Sequence, residues 1–329
     1  MKTKPLIQLR EMIAAALSSV TNLGNSFRTF IIKTMELYLT FSGRMNFTQM
    51  ARCGHSCESR FRQNFKKPFD WLSFNRDSLS PMMGHRIAIG IDPCFIPKAG
   101  KKTPGVDWFW SGCAGAIKNG LEILGLSVVD ADAKDTVFLK AEQTFTTKVR
   151  GRKPKCTKGM SVFKEEYSVE GKLVYELYTA DVWAVSLERE VRVVIVDYLD
   201  PDKKKQTRKV FFSTDLTLSA RDIFDIYRTR FQLEFVFRDT KQFTWLTHCQ
   251  ARNKEALAFA FNASLSSVNV ARAYARQEGH NLSFGATKTL LHNAAMVDRF
   301  IAMSAKHANL RLNNTDFKEL LFYGVRAVA

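Results

Sequence analysis

The chain has 329 residues, 46% of them hydrophobic, and carries a formal net charge of +17. That is enough apolar material for one large domain with appendages, and the charge points to a polyanion as partner, nucleic acid ahead of an anionic membrane surface. No apolar run reaches the roughly 20 residues that a membrane helix needs. The faint likeness of the first residues to a signal peptide fails because its apolar part, Met12 to Leu17, is too short and Gln8, Arg10 and Glu11 interrupt the approach to it. Six scattered cysteines read as reduced thiols of a cytoplasmic protein.

Residues 6 to about 42 carry apolar residues at helical spacing, with a break at Gly24-Asn25. A short helix over 46–52, a turn at Gly54, and a second helix over 57–69 bearing Arg60, Arg62, Lys66 and Lys67 have the layout of a helix-turn-helix. An ordinary helical hairpin with a solvated basic face fits the same residues. Cys53, His55 and Cys57 are too few and too close for a structural zinc site. Residues 1–80 therefore read as a helical region, and 81–329 as the remaining core.

That core is expected to begin at His85. Residues 86–91 form a β-branched apolar run that would deliver Asp92 at a strand end, with Pro93 stopping the ladder. Beside the basic loop Lys98-Ala99-Gly100-Lys101-Lys102, such a carboxylate suits a magnesium and phosphate site; an aspartate ending a strand before a turn is the plainer alternative. Strands over 108–117 and 121–129 would be joined at Lys118-Asn119-Gly120, and Ala133 to Gln143 reads as a short helix. Trp108, Phe109 and Trp110 are expected to pack, with stacking on unpaired bases as the alternative. From about 155 to 214 the alternation predicts a β-rich insertion, with strands over 161–168, 172–179, 182–187, 191–198 and 208–213. Lys203, Lys204 and Lys205, with Arg208 and Lys209, would either grip a DNA backbone or be solvated.

Ser219 to Gln242 reads as one long helix with Ser219 as its N-cap. At about 100° per residue, Tyr227, Arg230, Glu234 and Lys241 fall within an arc of roughly 60°, and most of the remaining circumference is apolar, which predicts a buried helix. On spacing alone, Arg230 and Glu234 form an intrahelical pair and Lys241 is solvated. A further helix spans 253–277 with Arg272 and Arg276 solvated, and the last stretch is helical with Leu290, Met296, Phe300, Leu320 and Leu321 as core.

The pattern Tyr227-x2-Arg230-x3-Glu234-x6-Lys241 resembles the Tyr-Arg-Glu-Lys signature of DDE transposases of the insertion-sequence IS-four superfamily. The flanking segments Phe211 to Asp215 and Leu246 to Arg252 are similar to the same proteins, especially those of Bacteroides-type bacteria, and Gly90-x-Asp92 resembles their first-acid strand. The resemblance implies an α/β fold: an RNase H-like core of mixed sheet and flanking helices, with a β-rich insertion and a helical N-terminal DNA-binding region. It implies Mg2+ or Mn2+ held by Asp92 and Glu234 as catalytic and metal-binding residues, with Tyr227, Arg230 and Lys241 on the DNA backbone and Arg60, Arg62 and Lys66 on the transposon ends. The partner would be double-stranded DNA, both transposon ends and target, bound by a monomer or a homodimer in the bacterial cytoplasm at the nucleoid, with no membrane involved.

One feature departs from that family. No carboxylate lies between Glu142 and Glu165, where its members carry a strand with the second aspartate. Asp215 is a poor substitute, because a helix of that length would hold it about 22 Å from Glu234. Asp130, Asp132 and Asp135 stand nearer the right place in the order of elements. Three readings stay open: a transposase that cuts and joins DNA, a catalytically inactive DNA-binding remnant, and an RNase H-type nuclease outside transposition.

Overall fold

The computed structural model describes residues 3–54, 56–77, 86–100, 102–145, 163–169, 172–184, 187–199, 206–304, 320–322 and 325. Five helices open the chain: α1 (Lys4–Ala16), α2 (Asn25–Thr40), α3 (Phe47–Cys53), α4 (Glu58–Asn64) and α5 (Trp71–Arg76). The break before α2 falls at Gly24, as its sequence predicts, and the Asn46 side chain caps α3. Four strands follow, β1 (Ile87–Pro97), β2 (Asp107–Ser111), β3 (Ala116–Asp130) and β4 (Asp135–Gln143). A second set, β5 (Phe163–Val169), β6 (Lys172–Ala184), β7 (Arg189–Leu199) and β8 (Gln206–Ser213), precedes α6 (Ala220–Thr229), α7 (Phe231–Phe243), α8 (Lys254–Gln277) and α9 (Phe284–Ser304). The architecture is mixed α/β with two antiparallel sheets.

In the first sheet β3 is central. β1 pairs along one side of it, while β2 and β4 share the other, β2 against its first residues and β4 against the rest. Three sequence expectations fail here. Pro93 does not end β1; it lies opposite Leu124 and the strand runs on to Pro97, so Asp92 is a mid-strand residue opposite Gly125. Lys118, Asn119 and Gly120 lie within β3, and the turn between β2 and β3 is Gly112 to Gly115. Residues 135–143, rich in good helix formers, are strand β4, because pairing with β3 outweighs a propensity difference of under 1 kcal/mol per residue.

The outer edge of β4 is closed by side chains of α8. Asn262 accepts from the Ala141 N–H and donates to its carbonyl, at 2.8 and 2.9 Å, and Asn269 does the same at Phe138. Seven helical residues rise about 10.5 Å, the span of three strand residues, so the two amides are in step with the strand. A β-bulge next to Leu126 and Ser127 turns both Phe138 and Ala141 toward the helix, and Asn75 of α5 donates to the Leu139 carbonyl.

The second sheet is a simple meander, β5-β6-β7-β8. Alternation predicts it well, except that the expected strands 172–179 and 182–187 are one strand, β6. Its tip lysines, Lys203 to Lys205, lie outside the described residues. One hydrophobic core joins α1 to α5 with β1, β3, β4 and α7 to α9, so the N-terminal helices share a core with the first sheet; a smaller core holds the second sheet and α6. In α9 and beyond, Leu290 and Leu321 are buried as expected, whereas Met296, Phe300 and Leu320 are exposed. No helix among the described residues is long and apolar enough to cross a membrane.

Candidate functional site

The expected single helix over 219–242 is two. Ser219 caps α6 by accepting from the Asp222 N–H, α6 ends at Thr229, and α7 starts at Phe231. The break at Arg230 is where the helix passes from one core to the other. Ile223 and Phe224 of α6 pack on Tyr175, Val194 and Phe211 of the second sheet, while Val236 and Phe237 of α7 join the core of the first. Nor is the helix buried all round: Phe231 is exposed, and its ring meets Phe235 edge to face at 4.8 Å.

Two strand glycines let α7 lie close to the sheet. A Cβ on Gly90 would meet Leu233 at 3.2 Å, and one on Gly125 would meet the Phe237 ring at 2.7 Å. Gly90 precedes Asp92 by two residues, and Gly125 is its cross-strand neighbour. The close approach puts Asp92 within reach of the first turn of α7. Arg230 donates through Nη1 to Asp92 Oδ1 at 2.5 Å and through Nη2 to Glu234 Oε1 at 2.9 Å. A strand acid and a helix acid far apart in the chain, Asp92 and Glu234, thus meet on one guanidinium.

Electrostatics at this point is finely opposed. Burial raises the Asp92 carboxyl above the usual aspartate range; Arg230 pulls it down, and Glu234 pushes it up again. Burial also works against the charge of Arg230, but Asp92, Tyr227 and Glu234 together outweigh it and raise its pKa. Arg230 Nε is buried without a hydrogen-bond partner. The guanidinium sits 5.3 Å from the Tyr227 ring, which itself lies against Phe211 at 4.1 Å. Tyr227 therefore braces Arg230 while keeping an exposed edge.

The arrangement does not fit a two-metal centre. Such a site needs several convergent carboxylates, and no group of three or more His, Cys, Asp or Glu side chains that could hold a metal occurs among the described residues. The two acids present already share one arginine. Other candidates are engaged elsewhere: Asp130 caps the turn at Asp132 and Ala133, Asp135 pairs with Arg272 and Arg276, and Asp215 accepts from Thr217 as a turn residue. Arg272 is accordingly largely buried rather than solvated, whereas Arg276 is exposed as expected but ion-paired. Asp132 is held by Arg86, which also reaches Asp222 and Asp225 of α6 at 3.3 and 3.5 Å. This tie between the start of β1 and α6 carries no sequence signal; its members lie in unrelated contexts.

The remaining expected site residues are distributed. Lys241 lies further along α7, beside the buried Cys94 thiol. Lys98 is half-buried and donates to the Cys249 carbonyl, so it is not a free phosphate ligand. Arg60, Arg62 and Lys66 are exposed on and just beyond α4, where Arg62 pairs with Glu58 and lies over the Phe47 ring. They form a basic patch of their own along α4, the second of two short helices separated by a turn. The expectation that all three aromatics of β2 pack is overturned: Phe109 is buried, but Trp108 and Trp110 are exposed. Both tryptophans alternate onto the face of the sheet that carries Asp92, opposite Asn119 and Ile117.

Compared with known proteins, the chain matches no protein-family model and no curated sequence.

Proposed function

We propose that the chain is a DNA-binding protein built on the DDE-transposase plan, with an RNase H-like core, in which the acid pair is held by Arg230 and does not perform strand transfer. The observation that carries this reading is the joining of Asp92 and Glu234 through Arg230, which unites the first-acid strand and the Tyr-Arg-Glu-Lys helix. Three antiparallel strands in the order β4-β3-β1, with β2 added between β1 and β3 in the chain, support the fold half of the reading, since an RNase H-like sheet opens with three antiparallel strands whose first strand bears an acid. The net charge of +17 supports the partner. A carboxylate pair already bound by an arginine, with no third acid beside it among the described residues, supports binding without chemistry.

In this role Arg230 and Lys241 present cations along α7 to a backbone phosphate, and Tyr227 fixes the guanidinium that would meet it. Trp108 and Trp110 offer stacking surfaces on the same face. Arg60, Arg62 and Lys66 supply a second set of phosphate contacts. The test is a gel-shift and strand-cleavage assay on a duplex carrying the inverted repeats that flank the coding sequence, in Mg2+ and in Mn2+. Binding without cleavage is expected, and replacing Arg60, Arg62 and Lys66 by alanine should lower the salt dependence by roughly three counterions. Cleavage that disappears in Asp92→Ala would establish the active enzyme instead. Failure to bind any duplex would remove both.

A further inference from the structure

The first sheet has one edge that nothing covers among the described residues. β1 pairs with β3 only. The Arg86 carbonyl accepts from Ala131, so the even-numbered residues of β1 bond to β3 and the N–H and C=O groups of Ile87, Ile89 and Ile91 point outward. Pro93 lies in the same outward series, which is the one place where a strand proline loses no ladder bond. The side chains of Ile87, Ile89 and Ile91 are 47%, 70% and 54% exposed. An unpaired, apolar, β-branched edge of this kind is a template for another strand.

We propose that this edge pairs with the same edge of a second copy of the chain, antiparallel, about a two-fold axis at Ile89. The segment Ile87-Ala88-Ile89-Gly90-Ile91 reads nearly alike in both directions, so the axis sets Ile89 against Ile89 and Ile87 against Ile91, each pair exchanging two hydrogen bonds. The segment is uncharged, so two chains of +17 meet here without opposing like charges. The same register sets Asp92 across from Arg86 of the second copy, a pair of opposite sign. Pro93 blocks any pairing shifted toward the far end of β1. The contact is small against the ~800 Å² per partner of a standard complex, so the dimer forms in a concentration-dependent way.

This inference stands apart from the DNA reading and is tested without DNA. In a Cys57→Ser, Cys113→Ser, Cys156→Ser background, which removes the exposed thiols among the described residues and the one cysteine outside them, Ile89→Cys should give a disulfide-linked dimer under mild oxidation. Paired residues in this geometry have Cα atoms about 5.5 Å apart, within disulfide range. Ile87→Cys and Ile91→Cys should not link alone but should link when mixed. Sedimentation of the unmodified chain should show a monomer–dimer equilibrium, which Ile89→Lys abolishes while its circular dichroism is unchanged. A monomer at every concentration, or equal cross-linking at positions 87, 89 and 91, would overturn the proposal.

Discussion

The two edges of the first sheet meet the same requirement in opposite ways. At β4 the outward backbone groups are taken up by Asn262, Asn269 and Asn75, buried amides held in step by helix geometry. At β1 the outward groups have no such cover among the described residues, and a row of isoleucines faces out beside them. The difference teaches where stability and function lie in this fold. The sealed edge belongs to the shared core and tolerates little change, whereas the bare edge belongs to the strand that carries Asp92.

Four substitutions sharpen this contrast. Asn269→Leu has the largest expected effect, because it leaves the Phe138 N–H and C=O and the Asn75 carbonyl oxygen without their partner. Two or three buried orphans cost about 3–5 kcal/mol, measured as a drop in the denaturant midpoint. Gly90→Ala comes next. Its Cβ would press on Val129 at 3.0 Å and on Leu233 at 3.2 Å, lifting α7 from the sheet at a cost of about 1–3 kcal/mol. It should also weaken DNA binding, because Arg230 and Asp92 move apart.

A third, smaller effect depends on pH. Lys288 is buried against the Trp245 ring and donates to the Phe243 carbonyl at the end of α7, and burial lowers its pKa to about 7. The unfolded chain therefore binds more protons at this residue than the folded one between about pH 7 and the ordinary lysine range, so stability rises with pH across that window. Lys288→Met should flatten the rise. Ile89→Ala is expected to be smallest, within about 0.5 kcal/mol for a monomer, since the side chain is largely exposed. A large loss at low protein concentration would mean that the edge is covered within the chain.

Several elements were legible before the structure because one local rule governs them. α8 follows from helical periodicity, and the second sheet from alternation and turn residues. The first sheet misleads where tertiary pairing overrides local chemistry. Asn119-Gly120 is a strong turn signal, yet the chain turns five residues earlier, and Pro93 is accepted because β1 is an edge. Helix spacing revealed the Arg230–Glu234 pair but could not show that the same guanidinium reaches Asp92, since that bond depends on two glycines thinning the sheet under α7. Only the likeness of Gly90-x-Asp92 and of the helix motif to a known family joined the two acids in advance.

The central claim is that Arg230, rather than a divalent cation, balances Asp92 and Glu234. Thermal unfolding of the native chain and of Arg230→Ala, each with and without millimolar Mn2+, tests it most directly. The native midpoint should not respond to Mn2+, while the variant, left with two adjacent unpaired carboxylates, should start lower and recover part of the loss when the cation is added. A native chain that Mn2+ stabilises, with the gain abolished by Asp92→Asn, would contradict the account.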